Sequence, residues 1–235
     1  MSNEVSNNSA SIVQKHTIRQ LILAERAQKS HSERSLHDAK LLGVITEWLQ
    51  QTIHTINVQE HEQNHKRNIP RNGDSGLTVA AFIPVGDEPG ATLGQKLLDD
   101  IQTTIGAGTL LLPVCPPGPP AALEWGVFTG SLTSGKYGLL EPDCIESDGP
   151  LPPKTIAKAD IILIPGVAGD ALTGMRMGRG AGYYDRSLAL ISDELPPTAL
   201  VLHPNEVIEG VPYDAHDKAV DVILTANGAL KPRNR

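Results

Sequence analysis

The sequence predicts a three-layer α/β/α domain, with helices on both faces of a mainly parallel sheet. Three observations carry that reading. From Leu77 onward, short apolar runs of strand length alternate with segments whose apolar residues recur at helical spacing. Such alternation links successive strands through helical crossovers, which favours parallel pairing. The chain has 235 residues, 40% of them hydrophobic, enough to fill one core. We place the domain at 11–230, with 1–10 as a flexible N-terminus and 231–235 as a tail. Aromatics make up only 3%, so the core must be built from Leu, Ile, Val and Ala.

The elements follow in order. A first helix is expected from about Ser11 to Lys29, with Ile12, Ile18, Leu21, Ile22 and Leu23 on its apolar side. Ser30 followed by Glu33 has the form of a capping box. It starts a second helix, with Leu41, Ile45, Trp48, Leu49 and Thr52 on one face. From 57 to 76 the chain is polar, with His61, His65, Lys66 and Arg67 among amides, and reads as a surface loop. Leu77–Ile83 and Thr109–Val114 read as buried strands flanking a helix with Leu93, Leu97, Leu98, Ile101 and Ile105 on one side. Pro116, Pro117, Pro119 and Pro120 then force an extended connection, and 147–153 forms a second Gly/Pro loop. Asp160–Pro165 is a third strand, followed by a glycine-rich stretch and a helix from about Gly182. Ala199–His203 and Ala219–Leu224 complete the sheet. Trp125 and Phe128 could wall a pocket, but scarce aromatics are more often core; Met175 and Met177 pack under a ring or fill the loop base.

Composition excludes several classes of function. With 20 basic and 27 acidic side chains the formal charge is −7. That argues against a nucleic-acid or membrane-surface partner, so any phosphate must meet a local cationic site. No apolar run approaches the roughly 20 residues of a membrane span, and the first residues lack a secretory pattern. Cys115 and Cys144 show no CxxC spacing and read as reduced thiols. His54, His61 and His65 lack the companions of a zinc site and read as exposed. The expectation is a cytoplasmic protein, a monomer or weak dimer.

The chemistry concentrates between Ala159 and Leu190, ADIILIPGVAGDALTGMRMGRGAGYYDRSLAL. A buried strand ends at Pro165, and a glycine-rich loop leads from it into a helix. In open α/β sheets, ligands bind beyond the carboxyl ends of strands. Free N–H groups at a helix start suit phosphate, and Gly178, Gly180 and Gly182 let backbone approach a ligand closely. Arg176 and Arg179 can neutralise an oligophosphate, and Asp185 stands where a Mg²⁺ bridging it would want an oxygen. The bland alternative is a tight turn with two solvated arginines. No GxxxxGK[ST] is present, and Asp185 stands where a GxGxxG motif from Gly180 needs glycine, which disfavours P-loop and dinucleotide folds.

The string RMGRGAGYYDR, Arg176 to Arg186, resembles the signature of the 5-formyltetrahydrofolate cyclo-ligase family. Lys15 and Arg19, one helical turn apart, resemble the family's basic pair for ATP. Glu88 resembles the glutamate that holds the pterin, and YGLLEP, Tyr137–Pro142, resembles the stretch before its central loop. Asp217 and Asp221 resemble two aspartates near the last strand, the first of which joins the magnesium site. Three positions depart from the family pattern: Ala181 where a lysine or polar residue is common, Ala91 where threonine is common, and Gly169 where an aromatic is usual, implying a looser pocket wall.

The resemblance implies a Rossmann-like fold similar to the sugar-phosphate isomerase and CoA-transferase-like group. It implies ATP- and Mg²⁺-dependent closure of 5-formyltetrahydrofolate to 5,10-methenyltetrahydrofolate. Arg179 and Tyr183 are then the catalytic candidates. Lys15, Arg19, Arg176, Tyr184 and the run Gly178 to Tyr183 bind ATP. Glu88, with Arg179, Gly180, Ala181, Gly182 and Tyr183, binds the folate, and Asp185 and Asp217 hold the metal. A regulatory module of the same fold, or a divergent paralogue acting on another substrate, are the alternatives; fold alone does not separate them.

Overall fold

The computed structural model describes residues 2–67, 76–144, 149–192, 194–214 and 217–234, and of these the side chains outside 2–12 and 60–67. Four α-helices are present among them: α1 (Ser2–Gln28), α2 (His31–Arg67), α3 (Gln95–Ile105) and α4 (Tyr183–Leu188). The strands are β1 (Thr78–Ala80), β2 (Thr109–Val114), β3 (Glu124–Val127), β4 (Leu132–Ser134), β5 (Leu140–Pro142), β6 (Ile161–Pro165), β7 (Ala168–Asp170), β8 (Arg176–Met177), β9 (Thr198–Val201), β10 (Val207–Ile208), β11 (Val222–Thr225) and β12 (Gly228–Leu230). Seven of them make one sheet in the order β12-β11-β9-β6-β1-β2-β3. The five inner strands pair in parallel, with Val79 of β1 opposite Leu110 on one side and Ile161 on the other. Both edges are closed by antiparallel strands, β12 and β3.

Alternation along each strand sends successive side chains to opposite faces. Val79, Leu110, Leu112, Ile161, Leu163 and Val201 pack beneath Leu41, Ile45 and Leu49 of α2 and Leu97, Leu98 and Ile101 of α3. Ala80, Leu111, Ile162, Ile164, Leu200 and Ile223 form the other face, covered by Leu188 of α4 and Ile156 of the 3-10 helix Pro153–Lys158. The three-layer architecture with a mainly parallel sheet is thus the one the alternation predicts. Trp125 is 0% exposed and Phe128 is buried, so both are core rather than pocket wall. Met177 is buried too, against Ile22 of α1 and Val211.

The boundaries differ where local signals were silent. Helix α1 begins at Ser2 rather than near Ser11. Ser30 and Glu33 do form the capping box: Ser30 Oγ accepts the Glu33 N–H at 3.2 Å, and Glu33 Oε2 accepts the Ser30 N–H at 2.9 Å. The helix it starts continues to Arg67, so most of the expected 57–76 loop is helical as far as that residue. The segment is polar all round yet free of Gly and Pro until Pro70, and propensity carries the helix without an apolar face. His54 is exposed on α2; the side chains of His61 and His65 lie outside the described ones.

Gly169 lies in β7, where a Cβ would stand 2.7 Å from Leu200 Cδ2 and 3.0 Å from Leu202 Cδ1 and Ile223 Cδ1. It permits close packing on the sheet, and the expected loosened pocket wall is not what this glycine produces.

Candidate active site

Strand order reverses at β1. The chain passes from β1 to β2 on one side and returns on the other through β6. Loops leaving the carboxyl ends of β1 and β6 therefore diverge, and a crevice opens between them. It holds a cavity of about 360 Å³. Glu88 enters it from the β1 loop, while Arg176, Gly178, Arg179, Ala181, Gly182, Tyr183, Tyr184 and Asp185 enter from the β6 loop and α4. Most of the predicted site, drawn from two distant segments, thus converges on one cavity.

The β1 loop is held from three directions. The buried Asp38 carboxylate on α2 accepts the Gly90 and Thr92 N–H groups at 2.8 and 2.9 Å and the Thr92 hydroxyl at 2.7 Å. Glu88 Oε2 accepts the Val85 N–H at 3.0 Å. His203 Nε2 lies 3.1 Å from the Asp87 carbonyl oxygen and must donate to it, since a carbonyl only accepts. Burial lowers the His203 pKa below its ordinary value, leaving the ring neutral near pH 7.

On the β6 loop, the buried Arg176 side chain donates from Nη2 to Asp185 Oδ1 at 2.6 Å. Arg179 reaches across the crevice: Nε donates to Glu88 Oε1 at 2.8 Å and Nη2 to Asp87 Oδ1 at 3.0 Å. Burial works to lower the Arg179 pKa, but the two carboxylates outweigh it and raise the pKa. The Tyr184 hydroxyl is buried with no hydrogen-bond partner, and the Tyr183 hydroxyl is buried beside that of Tyr137. Desolvation holds the Tyr184 phenol far above its ordinary range, so it is a neutral donor. Gly182 caps α4 with φ 71°, and Gly180 has φ 105°, conformations that glycine adopts without strain. Helix α4 has only six residues, so little macrodipole accumulates, and the cations at its start, Arg176 and Arg179, are each held by carboxylates.

Lys15 and Arg19 do not line the cavity; they brace it from α1. Arg19 Nε donates to Gly178 O at 2.9 Å. Lys15 Nζ donates to Asp214 Oδ2 at 2.7 Å and to Asp217 Oδ2 at 3.2 Å. Burial acts to lower the Lys15 pKa, and the two aspartates more than offset it, raising the value. One turn of α1 therefore spans from the Gly178 loop to Asp217. Asp185 lies on the cavity with its carboxylate on Arg176, and Asp217 lies on Lys15. Asp221 accepts the Thr198 N–H at 2.8 Å and serves the sheet. Among the described residues, no group of three or more His, Cys, Asp or Glu converges as a metal site.

The remaining wall was not assigned from sequence. Cys115, from the proline run, and Tyr137, Leu139, Leu140 and Glu141, from the β4–β5 hairpin, complete the cavity. The YGLLEP stretch marked the place, but its contacts with a segment about 20 residues upstream leave no local pattern. Cys115 is a free thiol in the cavity wall.

Fold and crevice together define an α/β enzyme domain with a small-molecule cavity at the switch point. The 5-formyltetrahydrofolate cyclo-ligase family is matched over residues 11–226, and the chain belongs to that family, a family of ligases. A Mycolicibacterium smegmatis protein named 5-formyltetrahydrofolate cyclo-ligase is 40% identical over 155 residues, covering 64% of this chain and 74% of that one. A Saccharomyces cerevisiae protein of the same name is 36% identical over 101 residues, covering 41% and 44%. The solved structure of Aquifex aeolicus 5,10-methenyltetrahydrofolate synthetase superposes with a TM-score of 0.61 at 26% identity, over 94% of each chain. That of a 5,10-methenyltetrahydrofolate synthetase from Mycoplasma pneumoniae, at 18% identity and TM-score 0.59 over 90% and 98% of the chains, shares the fold. No helix among the described residues is long and apolar enough to cross a membrane.

Proposed function

We propose that this chain is a cytoplasmic enzyme that closes 5-formyltetrahydrofolate to 5,10-methenyltetrahydrofolate, consuming ATP and releasing ADP and phosphate. The observation that carries the reading is the meeting, in one cavity, of buried Glu88, two tyrosines with buried hydroxyls and the arginine–glycine loop. Apolar walls from Phe82, Pro113, Leu139 and Leu140 suit a flat ring, and Glu88, Arg176 and Arg179 supply polar groups beside them.

The chemistry accounts for the requirement for ATP. A formamide carbon is a poor electrophile and its oxygen a poor leaving group. Transfer of the γ-phosphoryl group to the formyl oxygen releases ADP and leaves an iminium-like phosphate ester. N10 attacks that carbon and loses its proton, a C–N bond forms, and the formyl oxygen departs within phosphate. No protein nucleophile is needed, so the chain's work is alignment and charge. Glu88 can accept paired N–H donors from a pterin edge. A pterin that takes Glu88 displaces Arg179 from it and frees that guanidinium for the transferring oxygens. Arg176 adds charge from the loop, Lys15 and Arg19 add it from α1, and the Gly178–Gly182 amides add fixed dipoles.

Asp185, on the cavity, would hold Mg²⁺, and Asp217, which lies on Lys15 outside the cavity lining, would have to leave that lysine to join it. One carboxylate suffices, since this ion takes one or two and fills its remaining positions with water and phosphate oxygens; when bound it would supply neutralisation of phosphate charge. ADP release should require 5-formyltetrahydrofolate and stop on addition of EDTA. Folate-independent release, or an EDTA-resistant rate, would sink the proposed chemistry.

A further inference from the structure

We propose that Tyr137 is a substrate-contacting specificity residue, an aromatic platform at the cavity mouth against which the planar ring system of the substrate stacks. The inference rests on the folate reading and deepens it.

Tyr137 is the only non-glycine residue with positive φ among the described ones, at φ 60° and ψ 18°. A left-handed conformation is strained for a bulky aromatic, and strain of this kind persists only where surrounding contacts over-determine it. Those contacts are present. Gly135 N–H donates to Leu139 O at 2.7 Å, and Leu139 N–H donates to Lys136 O at 3.1 Å, closing the turn. Lys136 Nζ donates to Pro116 O at 2.8 Å and Gly118 O at 2.6 Å, tying the turn to the proline run. Glu141 Oε1 accepts the Cys115 N–H at 2.9 Å, a second tie between the same two segments. The same Lys136 ammonium sits 4.9 Å from the Tyr137 ring centroid. It covers one face by a cation–π contact and leaves the other to a ligand.

The residue is 71% exposed, yet it lines the cavity. An aromatic held in a strained conformation, braced by Lys136 on one face, tied to Tyr183 through its hydroxyl and still largely exposed, buries little for the fold. Its use is to present a flat apolar surface to a flat ligand. Offset stacking on a heteroaromatic ring serves that purpose without hydrogen-bond demands.

Three variants test it, with calorimetric binding of 5-formyltetrahydrofolate and steady-state kinetics as readouts. Tyr137→Leu should weaken folate binding and raise the folate KM by about tenfold, the size of one lost stacking contact, with the ATP KM unchanged. Tyr137→Phe should restore both folate values to within about twofold, since the ring is what stacks. Tyr137→Gly relieves the backbone strain, so its melting temperature should hold or rise while folate binding falls as in the leucine variant. Wild-type folate affinity in the leucine variant would overturn the proposal, as would a parallel rise in the ATP KM. If the wild-type chain neither binds nor converts 5-formyltetrahydrofolate, the folate reading fails and the platform falls with it.

Discussion

Arg179 and Glu88 show what a residue-level reading of sequence can and cannot reach. Each was singled out in the sequence, the arginine from its glycine-rich loop and the glutamate only through the family resemblance. Their pairing was not legible, because 91 residues separate them and no local spacing encodes a contact across a crevice. The pair changes what substitution should do. Arg179→Ala should lower kcat by about 10²-fold, through loss of charge at the transferring group. It should also lower Tm by about 2–4 °C, since a half-exposed ion pair contributes about 1 kcal/mol. Glu88→Gln removes the proposed pterin acceptor and weakens its hold on Arg179. Its folate KM should rise about tenfold or more, while its ATP KM holds or falls. Steady-state titration of each substrate decides the matter: a rise in ATP KM would place Glu88 on the nucleotide.

At the scale of elements, the inner strands and α3 were legible because their apolar periods are strong. The small sheet β10-β7-β8 was not, because its strands are two or three residues long and glycine-bearing. Asp170 holds that sheet together. Its Oδ1 accepts the Leu172 and Thr173 N–H groups at 2.8 and 2.9 Å, and its Oδ2 accepts those of Gly210 and Val211 at 2.8 and 2.9 Å. Burial raises the carboxyl pKa, and the four N–H donors outweigh it, so the net shift is downward. A depressed folded pKa gives stability that is full above the ordinary carboxylate value, near pH 4, and lost as pH falls through the folded value. Asp170→Asn puts an amide NH₂ against two N–H donors and should cost about 3 kcal/mol at pH 7, a Tm loss of about 6–12 °C. Melting scans from pH 7 to pH 3 should show a shallower acid slope in the variant than in the wild type. Equal slopes would remove Asp170 from the acid transition.

The whole molecule depends on how α1 is fastened, because Lys15 and Arg19 of α1 brace the loops around the crevice. Little in the sequence of α1 announces the fastening. Arg26 donates from Nε to Glu206 Oε1 at 2.5 Å and from Nη2 to Glu206 Oε2 at 2.7 Å and Gly166 O at 2.7 Å, with both side chains 0% exposed. A buried charge left alone is far costlier than a pair removed together. Glu206→Gln should therefore cost about 3–5 kcal/mol, while Arg26→Met with Glu206→Leu should recover most of it. A double variant no more stable than the single one, in denaturant melts, would show that the cost of Glu206→Gln does not come from leaving Arg26 buried and unpaired.

The central claim concerns this assembly as an enzyme, and one measurement addresses it most directly. The purified chain is mixed with MgATP and limiting 5-formyltetrahydrofolate, and the methenyl chromophore and ADP are followed together. The account predicts that both appear with equal rates and end in equal amounts, one ADP for each ring closed. ADP accumulating without the chromophore, or neither appearing from folded protein, would contradict it.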